Sequence, residues 1–107
     1  MSIFILSDAR DDLLSLQSYM LERWNEPLWL KAEDEIFQKL AELDSGLLSG
    51  TVVQAFADVG IFDYKTSVTS HHRILYRKID DTHYVYAIAG HQQDFQTLLM
   101  KRLFTHR

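Results

Sequence analysis

The chain carries five histidines, eleven basic and fifteen acidic side chains, and no cysteine. Without cysteine there is neither a disulfide framework nor thiolate chemistry. His71 and His72 are neighbours on an expected strand and point to opposite faces, so they do not share an ion. His83 and His91 are eight positions apart, roughly 26 Å along a strand rising about 3.3 Å per residue. One of the first pair can face His91 across a hairpin, but no third ligand is evident and no HxxxH helix occurs, so no metal site and no cofactor is expected. The serines sit in no nucleophile-elbow motif, and no glycine-rich phosphate loop is present. Glu33, Asp34 and Glu35 read as a solvated helix face. What remains is Arg73 and Arg77, two guanidinium groups beside apolar residues. Such groups bind phosphate or carboxylate, or stack on an aromatic ring. Their alternative use is to pair with a nearby aspartate on the solvent face of a sheet.

The stretch that positions them is His71–Asp94, HHRILYRKIDDTHYVYAIAGHQQD. His71–Ile79 is rich in β-branched, aromatic and long side chains. Asp80-Asp81-Thr82 is turn chemistry, because short polar side chains bond their own backbone. His83–Ala89 then alternates around Tyr84, Tyr86 and Ile88. Two such runs with so short a connection predict an antiparallel hairpin. Arg73, Leu75 and Arg77 share one face, and Ile74, Tyr76 and Lys78 the other. If Asp80 pairs with His83, Arg77 lies opposite Tyr86 and Arg73 opposite Gly90. A one-residue slip in the turn changes those pairs and flips the second strand's faces.

The rest of the chain supplies the support. Ser2–Leu6 is a short apolar run, too short for a helix, and reads as a strand. Ser7 or Asp8 is a suitable N-cap for a helix starting there. Ala9, Leu13, Leu16, Met20 and Trp24 recur at helical spacing and form one buried stripe. Asp8, Asp11 and Asp12 suit the dipole at that helix's start. Asn25-Glu26-Pro27 ends the first helix and starts a second, with the stripe Trp29, Ala32, Ile36, Leu40, Leu43 and Leu47. Two helices joined this closely predict an αα-hairpin. Thr51–Asp58 is ambiguous among an irregular segment, a helical turn and a strand. Val59–Thr66 alternates as a strand, Ser67–Ser70 is a polar connection, and Asp94–Phe104 carries a short helical stripe through Phe95, Leu98, Leu99 and Leu103. The expected fold is α+β in the order β-α-α-β-β-β-α: a mostly antiparallel four-stranded sheet packed against an αα-hairpin, with a short C-terminal helix.

At 107 residues with 47% hydrophobic content, the chain is one domain spanning 1–107, long enough to bury a modest core and too apolar to be disordered. It opens with no signal peptide, and no apolar run approaches the roughly 20 residues a membrane span needs. A soluble cytoplasmic protein without a membrane partner is expected. The net charge of −4 disfavours direct DNA binding by the chain alone. The charge is uneven. Residues 1–60 hold 4 basic and 11 acidic side chains, net −7, and residues 61–107 hold 7 and 4, net +3. This unevenness suits either an anion-seeking face on the second half or two ordinary solvated surfaces.

Taken together, the motifs resemble the ParE/RelE superfamily of type II toxin–antitoxin toxins. The matching pieces are Leu6-Ser7-Asp8-Ala9-Arg10-Asp11-Asp12-Leu13 after the first strand and Trp24 at the helix junction. With them go the sheet signature His72-Arg73-Ile74-Leu75-Tyr76-Arg77 and the strand end His91-Gln92-Gln93-Asp94. The resemblance covers roughly residues 3–100.

Its RelE-like branch implies mRNA cleavage on the ribosome by basic residues without a metal. Here those residues would be Lys65, Arg73 and Arg77. Where that branch places a further arginine the chain has Gln92 and Gln93, and where a tyrosine would come later it has Leu98. A cation set so reduced stabilises phosphoryl charge poorly. The ParE-like branch, whose last strand ends in a His-x-x-Asp sequence, is the nearer match. It implies poisoning of DNA gyrase by protein contact, with no catalytic residue and neutralisation by a cognate antitoxin. Arg73, Arg77, Tyr86, His91 and Asp94 are then the partner-binding residues, although Asp94 is equally suited to cap the last helix. An inactive remnant that only binds its antitoxin is the third reading. The aromatic residues exceed what one small sheet face can bury. An acidic antitoxin tail with apolar anchors, meeting Arg73, Arg77 or Lys101, therefore suits the basic half.

Overall fold

A computed structural model describes residues 2–46, 50–58, 60, 63–91 and 97–98. Two helices lie over one face of a five-stranded sheet ordered β1-β5-β4-β3-β2. The strands are β1 Ser2–Ile5, β2 Thr51–Val52, β3 Tyr64–Val68, β4 His72–Ile79 and β5 Thr82–Gly90. β1 runs parallel to β5, and every other pairing is antiparallel. The α+β class is as expected, with a fifth strand. It comes from the ambiguous segment, where Thr51 and Val52 pair with Thr66 and Lys65 before the chain turns into α3, Gln54–Ala57. β3 begins later than the alternation suggests and takes in Ser67 and Val68, whose setting has the composition of a connection. Positions 59, 61 and 62 lie outside the described residues, as does the expected C-terminal helix apart from Thr97 and Leu98.

The helices α1, Ser7–Arg23, and α2, Glu26–Ser45, form the expected hairpin. α2 starts where its sequence dictates: the Asn25 carboxamide accepts the Leu28 N–H at 2.9 Å, and Pro27 occupies the first turn. It stops at Gly46, whose φ of 80° is the left-handed closing conformation. α1 departs from expectation. Neither Ser7 nor Asp8 caps it; Leu6 holds that position and makes no side-chain bond. The buried stripe is Ala9, Leu16 and Met20, while Trp24 is 49% exposed at the end of the helix. These residues meet Trp29, Ala32, Ile36, Leu40 and Leu43 of α2 over Ile74, Tyr76, Val85 and Ile88 of the sheet.

The β4–β5 register differs from the expected one. The loop is the two residues Asp80 and Asp81, so Ile79 rather than Asp80 closes the ladder, pairing with Thr82. Asp80 has φ of 55°, a conformation a short polar residue tolerates in a tight hairpin turn. Arg77 accordingly faces Tyr84, not Tyr86, and Arg73 faces Ala89, not Gly90. The ladder shifts register between Leu75, which faces Ala87, and Tyr76, which faces Val85, so Tyr86 is the added residue on β5. That extra residue lets Tyr84, Tyr86 and Ala87 all serve the side of the sheet away from the helices.

One bond explains how α1 sits. β1 accompanies β5 only as far as Ile5 opposite Val85, after which the chain leaves for the helix. Beyond that point no strand among the described residues borders this edge of β5. Asp12, in the second turn of α1, fills the gap by accepting the Ile88 N–H at 3.0 Å. Its task is therefore to bridge helix and strand, not to complement the dipole. Asp12→Ala leaves that amide unpaired under the helix. The expected loss is about 2–3 kcal/mol, read as a lower urea midpoint with unchanged slope, whereas Asp11→Ala on the exposed side should stay within about 0.5 kcal/mol.

Candidate partner-binding face

The sheet face away from the helices carries a cross-strand row. Phe4 pairs with Tyr84, Tyr84 with Arg77, and Arg77 with Tyr64, so four strands each place one side chain in line. Arg77 lies over the Tyr64 ring at 5.3 Å, donates to the Tyr64 hydroxyl at 3.4 Å, and reaches Asp63 at 3.6 Å. Tyr86 stands edge-on to Tyr64 at 5.4 Å, and Phe56 does the same at 5.8 Å. Burial works against the Arg77 charge, but the hydroxyls of Tyr64 and Tyr86 outweigh it and hold the guanidinium above its ordinary value. Burial likewise pushes the Tyr86 phenol up, so it stays a neutral hydrogen-bonding group. An arginine held flat among tyrosines, with Phe4 more than half exposed at the end of the row, has the composition of an interaction hot spot.

The structure places the residues expected from sequence unequally. Arg77 and Tyr86 come together through Tyr64. Arg73 shares their face but pairs with Val68 on the far side of Leu75, four residues and roughly 13 Å along the strand from Arg77. Lys65 pairs with Tyr76, and so belongs to the opposite, helix-covered side. His91 is apart from all of these, at the end of β5. Asp94 lies outside the described residues. Nothing local in the sequence marks Phe4, Tyr64 and Tyr84, because only the strand registers bring them into line with Arg77.

Sequence reasoning also missed a cleft on the helix side. It has a volume of about 600 Å³ and runs along α1, from Asp12 and Leu16 to Trp24, against Ser70–His72 and the end of β5. Ser70 donates to Glu35 at 2.6 Å, and the His71 Nδ1 stands 3.6 Å from the same carboxylate. His71 meets the Trp24 ring edge-on at 5.7 Å, and His72 meets Trp29 at 6.4 Å. Among the described residues no three metal-ligating side chains gather in one place, and no helix is long and apolar enough to cross a membrane.

The chain is similar to known proteins in sequence and in fold. Residues 3–95 match the family described as ParE toxin of type II toxin-antitoxin system, parDE. The chain belongs to that family of toxins. A solved structure described as the chromosomal ParDE TA system from P. aeruginosa is similar, with a TM-score of 0.67 over 84% of this chain and 95% of that one, at 15% identity. At that identity the likeness speaks for the fold. No curated protein matches the chain in sequence.

The buried imidazole at the cleft floor makes the fold acid-sensitive. His72 is 2% exposed with an unpartnered Nδ1, and burial, reinforced by His71 and His91, pushes it down to about 4. The unfolded chain takes up this proton near the ordinary value of about 6.5, the folded chain only well below it. The contribution is therefore intact above about pH 6.5 and is lost as pH falls toward 4, by up to about 3 kcal/mol. Thermal unfolding between pH 7.5 and 4.5 should show that decline. His72→Gln should flatten it without abolishing it, since burial also holds His83 below its ordinary value.

Proposed function

We propose that this chain is the toxin of a type II toxin–antitoxin pair that acts on DNA gyrase by protein contact and is neutralised by a cognate antitoxin. Membership of the ParE toxin family supports the toxin half of this reading. The observation that carries the mode of action is the separation of the cations. A metal-free ribonuclease needs its basic groups focused on one phosphate, where charge develops. Lys65, Arg73 and Arg77 would be that set, yet β3 directs Lys65 to the opposite face from the two arginines, and Leu75 stands between those two. Each arginine is instead set among apolar or aromatic neighbours on a surface fit to be covered by another protein.

The Arg77 row is then the recognition element, with Arg73 and Tyr86 beside it. His91, at the end of β5, and Asp94, three positions on in sequence, complete the proposed partner-binding set. The antitoxin covers this face with a segment that folds on binding, its apolar anchors meeting the aromatic row and its carboxylates meeting Arg73 or Arg77. Toxin and target both act in the cytoplasm.

Purified toxin should inhibit supercoiling by gyrase or trap it in cleaved complexes, and induction in cells should provoke a DNA-damage response. Codon-specific cuts in ribosome-bound mRNA, with supercoiling unaffected, would overturn the reading in favour of an mRNA interferase. Arg77→Ala removes a half-exposed cation–π contact, so the fold should lose no more than about 1 kcal/mol while growth inhibition falls sharply. A variant that unfolds instead makes Arg77 a structural ion-pair partner only.

A further inference from the structure

The cleft along α1 lies on the opposite side of the sheet from the proposed recognition face, and its polar atoms identify what it takes. The carbonyl of Thr69 can only accept, so the His91 Nε2 at 3.0 Å from it carries the hydrogen. In the neutral ring the other nitrogen, Nδ1, is then an acceptor. His71 lies beside it, its Nδ1 3.6 Å from the Glu35 carboxylate, which the Ser70 hydroxyl above all holds below the usual carboxylate range. Asp12 adds a carboxylate at the other end of the cleft, its Oδ2 bound to the Ile88 amide. Leu16, Met20 and Ile88 make an apolar floor. Half-exposed Trp24 forms the rim. Tyr19, also on the rim, already has Arg23 stacked on it at 5.0 Å, so Trp24 is the aromatic face available to a newcomer.

A carboxylate, an indole and the His91 acceptor around an apolar floor select a flat cation with several N–H donors and a hydrocarbon stem. The geometry points to the side chain of an arginine from a partner polypeptide, its stem on Met20 and Ile88, its guanidinium at Trp24 between the two imidazoles and Asp12. Guanidinium suits this better than ammonium because it stacks and donates in several directions within one plane. A carboxylate ligand would face the Asp12 carboxylate. The arginine site stands whether or not gyrase is the target.

The test uses the intact toxin and N-acetyl-argininamide, which presents a guanidinium on a peptide-like backbone. The Met20 and Ile88 methyl resonances are followed by NMR during titration at pH 7.5. N-acetyl-lysinamide and N-acetyl-aspartamide serve as comparison probes. The expected result is saturable methyl shifts at pH 7.5, stronger for the arginine probe than for lysine and absent for aspartate. Affinity should fall several-fold in Trp24→Leu, whose exposed position leaves folding intact, and again in His91→Leu. Absent saturation, an equal response to the aspartate probe, or shifts unchanged by Trp24→Leu would each overturn the assignment.

Discussion

The carboxylate of Asp12 on the Ile88 amide is the contact on which the rest of the arrangement depends. A parallel strand such as β1 has to leave the sheet for its crossover, and where it leaves, its neighbour keeps amides pointing at nothing. Here Leu6 still donates to the Val85 carbonyl at 3.1 Å, and then the chain turns away into α1. An unpaired amide under a helix costs about 1–3 kcal/mol. A charged acceptor at one position of α1 removes that cost and fixes the helix over β5. Trp24 is thereby brought beside the β3–β4 connection, where His71, Ser70 and Glu35 tie that connection to α2.

Fixing both helices on one side leaves the other side of the sheet to different partners. The short helix α3 contributes Phe56 there, and Leu98 and Val53 pack beside it, but Phe4 and Val68 remain more than half exposed. The register shift opposite Tyr86 enriches that side in aromatic side chains, because it adds one residue to β5 without adding one to β4. Arg77 gains its setting from three strands at once. Apolar burial against the helices thus holds the fold together, and the arginine–tyrosine row lies on the side that the helices leave uncovered.

Much of this is legible in the residues. The stripes of α1 and α2, the breaker Asn25-Glu26-Pro27 and the Asp80-Asp81 turn are local patterns, and local patterns determine local structure. The division of β4 into an Arg73, Leu75, Arg77 face and an Ile74, Tyr76 face comes from alternation alone. Long-range facts are not legible. The pairing of Arg77 with Tyr84 depends on closing the turn one residue earlier than its composition suggests. The two-residue strand at Thr51 is too short to leave a periodic signal, and exists because β3 offers an edge. Gly50 beside it is held by the Tyr76 hydroxyl at 2.5 Å, a contact 26 positions away in sequence. Asp12 looks like any acid near a helix start, since nothing local marks the amide it serves. Trp24 keeps helical spacing with the core yet falls at the helix end, where the cleft exposes it.

The central claim is that the toxin meets its target with the sheet face opposite the helices. Site-specific photo-crosslinking in growing cells tests this most directly, with the crosslinker at Val68, exposed beside Arg73 on that face, or at Gln38 on the exposed side of α2. The account predicts a covalent adduct with a gyrase subunit from position 68 and none from position 38. Adducts with gyrase from position 38 alone, or with ribosomal proteins from position 68, would contradict it.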